Sequence, residues 1–212
     1  MSARPGIVAV FGQVLWGLVL WGLVLLGLVL NAQPALAHAV PLGIPGFFGG
    51  LLHPAFVPAH LMAALGLGIL IGQQAPRWGR AAPATFIVSL IAALAVLTSG
   101  VVPRFAGEAV LLLALASGAL AALARPLPEG AGCALAALTG IAIGLDSPPE
   151  VVVVRQAHLM LIGTAFGGGL LLIVIVEIAS RLTHPWQRIA ARILGSWIAA
   201  SAVLVLAFLL AR

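Results

Sequence analysis

The residues best suited to chemistry lie in one short stretch, GFFGGLLHPAFVPAH, running from Gly46 to His60. It places His53 and His60 in a run that is otherwise hydrocarbon, with a Gly-Gly pair upstream and Pro54 and Pro58 among the histidines. Ionisable side chains inside an apolar segment mark a functional site by default, and imidazole is a common metal ligand. Seven residues on an unbroken helix put both rings on one face, but about 10 Å apart along the axis at ~1.5 Å per residue. That is too far for one ion held at ~2.0–2.1 Å by each ring. The prolines change the geometry, because neither has an N–H and Pro58 clashes with the carbonyl of Pro54. The pattern predicts a Gly-rich half-helix or re-entrant piece ending near His53, followed by a long helix with Pro58 in its first turn. His60 then lies near the outer mouth, and His53 can fold back towards it. Broken backbone at membrane depth needs protein or a water-filled cavity around it, so the break predicts a cavity. The alternative is that both rings are interfacial and hydrogen-bond to backbone carbonyls.

Other polar residues fall on the same predicted outer face. His38, if it becomes the N-terminus, brings an α-amine with pKa near ~7.7–8 that can chelate a divalent ion together with its own imidazole. Otherwise it is an exposed terminal residue. Asp146 closes a Gly-rich apolar run as GIAIGLDSPPE and also reads as a cap or turn residue before Pro148 and Pro149. Glu108 opens an apolar run, where a carboxylate meets the helix dipole favourably. His158 reads as interfacial. Glu177 and Arg181, four apart, form a local ion pair by default, and Thr183 to Trp186 read as a loop with an aromatic-belt residue.

The elements that carry these residues must be membrane helices. Of 212 residues, 63% are hydrophobic and 7% charged, against roughly 25% charged in a soluble domain. All ten basic side chains are arginines, set singly between apolar runs, so the net charge of +5 reflects lipid headgroup anchoring and orientation rather than nucleic acid. The single cysteine, Cys133, excludes an intrachain disulfide and a thiolate cluster and reads as a small buried apolar residue. Runs of about the ~20 residues a span needs recur at 46–73, 84–102, 107–124, 131–146, 156–180 and 189–211. The expected fold is all-α: a polytopic membrane helix bundle of about six transmembrane helices, forming a single domain over 38–212. Glycine pairs at four-residue spacing, Gly68/Gly72, Gly140/Gly144 and Gly163/Gly167, are expected to let helix backbones approach closely.

Residues 1–37 precede this domain. Arg4, an apolar run from Ile7 to Leu30 and the small residues Ala35 and Ala37 fit a signal peptide cut before His38, although the run also suits an uncleaved anchor. With the leader removed, one side of the membrane holds Arg77, Arg80, Arg125, Arg181, Arg188 and Arg192, and the other Arg104, Arg155 and Arg212. Six against three follows the positive-inside rule, with the mature N-terminus periplasmic and the chain in a bacterial inner membrane.

The arrangement resembles the HupE/UreJ family, small six-span proteins associated with nickel hydrogenase and urease systems. Three features carry the resemblance: ALAHAV at the leader end, the motif G-F-x-x-G-L-x-H-P-x-x-x-x-x-H-L from Gly46 to Leu61, and a Gly-rich fourth span ending in an acid. It implies a nickel or cobalt permease whose metal ligands here would be His53, His60 and Asp146, with His38 beside them. It implies no tightly bound cofactor, only a transported divalent metal ion. The sequence departs from the family pattern at Ala59, where the family has aspartate, and at Thr139 and Ile143, where it has histidines.

Two readings follow from different classes. One is a secondary permease for nickel or cobalt; no nucleotide-binding motif is present, so the driving force would be a potential or gradient. The other is a non-transporting accessory or scaffold subunit, with a membrane complex or a second copy of the chain as partner. Two weaker alternatives are an intramembrane hydrolase, suggested by Ser117-Gly118 in the third span but without assigned residues, and a haem protein with His53 and His60 as axial ligands. Cleavage of the leader predicts a mature chain that begins at His38. The intact mass of the purified protein checks this, and a mass that includes Met1 would remove the His38 chelate.

Overall fold

A computed structural model describes residues 44, 46–100, 103–149 and 153–211. The leader and His38 lie outside these residues. Among the described residues all regular structure is helical: α1 (Gly46–Phe56), α2 (Pro58–Trp78), α3 (Ala81–Leu97), α4 (Ala106–Leu123), α5 (Glu129–Leu145), α6 (Val154–Ser180) and α7 (Pro185–Leu210). Lipid offers the backbone no hydrogen-bond partner, so each apolar run satisfies its own amides as a helix.

The first predicted span is indeed broken. α1 and α2 meet at Val57, which is extended, and their axes bend by 66°. Pro58 is the first residue of α2, where its missing N–H costs nothing. α1, however, runs to Phe56, three residues beyond the end expected near His53. One proline removes one hydrogen bond, and the Val57 amide still reaches the His53 carbonyl at 3.0 Å. Only the second proline, four residues after the first, stops the helix.

Six apolar units follow in the predicted order. The α1–α2 pair, α4, α6 and α7 are long and apolar enough to cross a membrane; α3 and α5, at 17 residues each, are shorter apolar helices. The run expected at 84–102 is helical only over 81–97, and its end tightens through Thr98, Ser99 and Gly100, whose amides bond three residues back. α7 starts at Pro185 rather than Ile189, again because proline suits a first turn. The outward faces are apolar, with Phe48, Val88, Phe166 and Leu204 among the most exposed side chains. The chain is a multi-pass membrane protein.

α2 is the central helix. It packs against α4 and α6 along much of its length and also touches α5 and α7, while α1 lies on α6, α3 on α5 and α4 on α7. Glycine sets these approaches. A Cβ on Gly163 or Gly167 would collide with the α1 carbonyls of Phe47 and Leu51, and one on Gly140 with the Phe86 carbonyl of α3. Gly68 and Gly72 face Ile175 and Ala179 of α6. All three predicted glycine pairs therefore sit at helix contacts, and Gly118 and Gly195 form a fourth, between α4 and α7.

The far end of α2 is stitched to the α4–α5 connector. Gln74 Nε2 donates to the Arg125 carbonyl at 2.7 Å and Trp78 Nε1 to that of Leu127 at 3.2 Å. Arg192 Nε donates to the Ala122 carbonyl at 2.9 Å, so polar side chains occupy carbonyls freed where α4 ends. Gly163→Ala is expected to destabilise the protein by about 1–3 kcal/mol through overpacking against α1. Gly130→Ala, in open space, should be neutral or stabilising by up to ~1 kcal/mol from helix propensity. Thermal unfolding of both variants in detergent measures the contrast.

Candidate functional site

The break delivers what the spacing alone forbade. His53 occupies the last turn of α1 and His60 the first turn of α2, and the bend brings their ring centroids to 5.2 Å in an edge-to-face contact. Asp146, the C-cap of α5, completes the cluster: its Oδ2 lies 3.0 Å from His60 Nε2. Both rings are essentially inaccessible and Asp146 is 8% exposed. His60, which the spacing placed near the outer mouth, is covered by its neighbours. The bend turns the start of α2 inward, so the ring that spacing placed near the surface is covered.

Burying a polar group in hydrocarbon is costly unless it is hydrogen-bonded, and the His60–Asp146 contact answers that cost for one nitrogen. In the neutral tautomer whose Nε2–H donates to the carboxylate, His60 Nδ1 carries a lone pair. Nδ1 is buried with no hydrogen-bond partner among the described residues. A carboxylate orienting a histidine whose other nitrogen is available is the arrangement that tunes metal-binding imidazoles. The same 3.0 Å gap also matches two neighbouring ligands at ~2.1 Å from one ion, about 90° apart. Gly107 of α4 lies beside the carboxylate; a Cβ there would meet Asp146 Oδ1 at 3.4 Å, an ordinary contact.

Among the described residues no three of the His, Cys, Asp and Glu side chains are disposed to hold a metal ion as they stand. His53, His60 and Asp146 converge, but His53 meets His60 through its ring rather than by a shared point of ligation. The face of α5 below Asp146 explains why no further ligand joins them. Ala136, Thr139, Ile143 and Asp146 follow at helical spacing and all are buried. Thr139 spends its hydroxyl on the Leu135 carbonyl at 2.8 Å, and Ile143 belongs to the hydrophobic core.

The remaining candidates keep their plainer roles. Glu108 sits in the first turn of α4, and His158 is exposed near the start of α6. Arg181 Nε donates to Glu177 Oε1 at 2.7 Å on an exposed surface. Cys133 is half-buried and free. Ser117 donates to the Leu113 carbonyl at 2.7 Å and lies against Gly66, a packing position. The edge contact between His53 and His60 leaves no gap for a porphyrin plane between the rings. The resemblance groups His60 with Asp146 as ligands; the direct hydrogen bond between them, across 86 residues, adds to that grouping.

Fold and site together define a polytopic membrane protein with a buried histidine–histidine–aspartate cluster at a broken first span. The chain belongs to the HupE/UreJ family: the family model described as HupE / UreJ protein matches residues 26–205. No curated protein and no solved structure matches it.

Removing either partner of the buried pair should strand the other. Asp146→Leu and His60→Leu are each expected to cost about 2–4 kcal/mol, and the double variant less than the sum. A double-mutant cycle on unfolding in detergent measures this, and additive losses would show that the contact contributes no coupling.

Proposed function

We propose that the protein is a membrane permease for a divalent transition metal, nickel or cobalt, and that His53, His60 and Asp146 form the point where the ion leaves water. Family membership supports the class, since the HupE/UreJ proteins are regarded as nickel or cobalt transporters rather than enzymes. The observation that carries the reading is a buried His60 at a helix break inside an apolar bundle, touching the His53 ring on one side and the Asp146 carboxylate on the other. Such groups exchange for the hydration shell of a borderline ion, and imidazole suits Ni(II) and Co(II). His60 supplies a lone pair at Nδ1, and Asp146 supplies negative charge that offsets the ion's own. His38 adds amine and imidazole at the same mouth once the leader is cut. With the positive-inside orientation, this mouth is periplasmic.

The route onward is closed in this arrangement. Leu67 and Ile71 of α2 and Ile143 of α5 are buried in one core cluster beneath the pair. Passage then requires α2 and α5 to part, and small residues along α2 give that motion little side chain to displace. Uptake would be driven by the membrane potential or a coupled gradient.

A second reading is an accessory subunit that keeps the fold without transport: by the resemblance, Ala59, Thr139 and Ile143 stand at ligand positions, and Thr139 and Ile143 are buried in plain packing roles. Cellular nickel and cobalt accumulation at limiting metal separates the two. Wild-type protein is expected to raise accumulation above empty membrane, and His53→Ala/His60→Ala at equal expression to abolish the increase. Equal accumulation in all three, with the protein inserted, would assign the accessory role.

A further inference from the structure

We infer that the arginine-rich end of the bundle binds one anionic glycerophospholipid, its phosphate held by Arg188 and Arg192 and an acyl chain laid between α6 and α7. This site lies at the opposite end of α2 from the histidines and does not depend on metal transport.

The starting observation is a gap. α6 and α7 are joined by the short connector Arg181–His184, yet they barely touch; α7 packs on α4 and α2 instead. Consecutive helices normally lie side by side. Between them runs an apolar groove of about 350 Å³, lined by Ile175 and Ile178 of α6, Trp186 and Leu194 of α7, and floored by Leu65 and Ile69 of α2. α7 is also the least buried of the long apolar helices. In a bilayer such a groove is filled by hydrocarbon, because an empty one forfeits its dispersion contacts.

What the groove leads into gives the occupant its chemistry. Ala179, Leu182 and Ala191 line both the groove and a second, more polar pocket of about 270 Å³, so the two adjoin along these side chains. The pocket holds Arg188, Arg192, Gln73 and Ser180 and no acidic side chain. At ~30 Å³ per water it has room for roughly nine, which suffices for a phosphodiester. Each guanidinium is steadied by one backbone carbonyl: Arg188 Nε donates to Leu182 at 3.3 Å and Arg192 Nε to Ala122 at 2.9 Å. Their terminal amino groups stay available in a fixed fork, the geometry that matches phosphate oxygens. The acid on the neighbouring turn, Glu177, is already engaged by Arg181. Trp186 stands exposed at the start of α7, as an interfacial aromatic does.

An apolar slot beside a paired-arginine pocket fits an amphiphile with an anionic head. A free phosphate would use the pocket and leave the groove unexplained. A zwitterionic lipid would fill the groove but bring a cationic group towards two arginines.

The test uses the purified full chain in neutral maltoside detergent, with retained lipid counted by native mass spectrometry. Palmitoyl-oleoyl phosphatidylglycerol is the probe and the matching phosphatidylcholine the comparison. Wild type should prefer phosphatidylglycerol by about thirtyfold, from two basic residues at a membrane surface. Arg188→Gln/Arg192→Gln should reduce that preference to near unity, and Ala190→Phe, which intrudes on the groove, should weaken retention of both lipids. Because Arg192 also serves the Ala122 carbonyl, Arg188→Gln alone provides a milder variant, expected to lose about fivefold. Equal retention of the two lipids by wild type would overturn the proposal. So would displacement of the lipid by millimolar inorganic phosphate, or an equal loss from Arg104→Gln outside this pocket.

Discussion

The bundle is organised around a desolvation constraint: a histidine and an aspartate buried among apolar helices must find each other. His60 and Asp146 come from helices far apart in sequence, and their 3.0 Å contact fixes the start of α2 level with the end of α5. Pro58 decides where the first span breaks, and the break lets His53 join them. If α1 continued straight into α2, His53 would lie about two turns along the axis from His60. With a 66° bend at Val57 the two rings touch.

The rest of the packing supplies that contact with rigid walls. Lipid does not drive apolar helices together, so their association rests on shape, and small residues provide it. Glycines on α5 hold it to α3, glycines on α6 hold it to α1, and those on α2 seat it against α6. The two histidine-bearing helices are thereby clamped by different neighbours, α1 by α6 and α2 by α4 and α6. At the other end, Gln74, Trp78 and Arg192 spend their N–H groups on carbonyls around the end of α4. Mid-helix hydroxyls such as Ser117, Thr139 and Thr164 bond to their own helix, so the polar contacts between distant segments described here lie at or near helix ends.

Much of this was legible in the sequence. Hydropathy gave the order of the apolar units, Pro54 and Pro58 located the break, and four-residue glycine spacing marked three of the four closest helix contacts. The extra turn of α1 after His53 was not legible, because one proline and two prolines differ in consequence and no local rule says which one ends a helix. Nor was the depth of His60. A residue in a first turn reads as interfacial, and only the tilt of α2 after the bend buries it. The His60–Asp146 pair depends on how α2 and α5 lie side by side, and a chain rich in alanine and leucine carries little information about pairing. The shortness of α3 was hidden by apolar residues such as Val101 and Val102, which extend the hydropathy signal past the end of the helix.

That shortness has a further consequence. α3 and α5 pack on each other, and at 17 residues each spans roughly 25 Å, against a hydrocarbon core of about 30 Å. Lipid beside this pair must thin, at a cost of fractions of a kcal/mol per Å of mismatch. α5 is also the helix that ends in Asp146, so the dent in the bilayer lies alongside the histidine cluster. A bilayer that thins on this flank brings water and headgroups closer to the carboxylate than one that does not. The bilayer itself becomes part of the site's dielectric environment, and its thickness a variable that sets how deeply the cluster is buried.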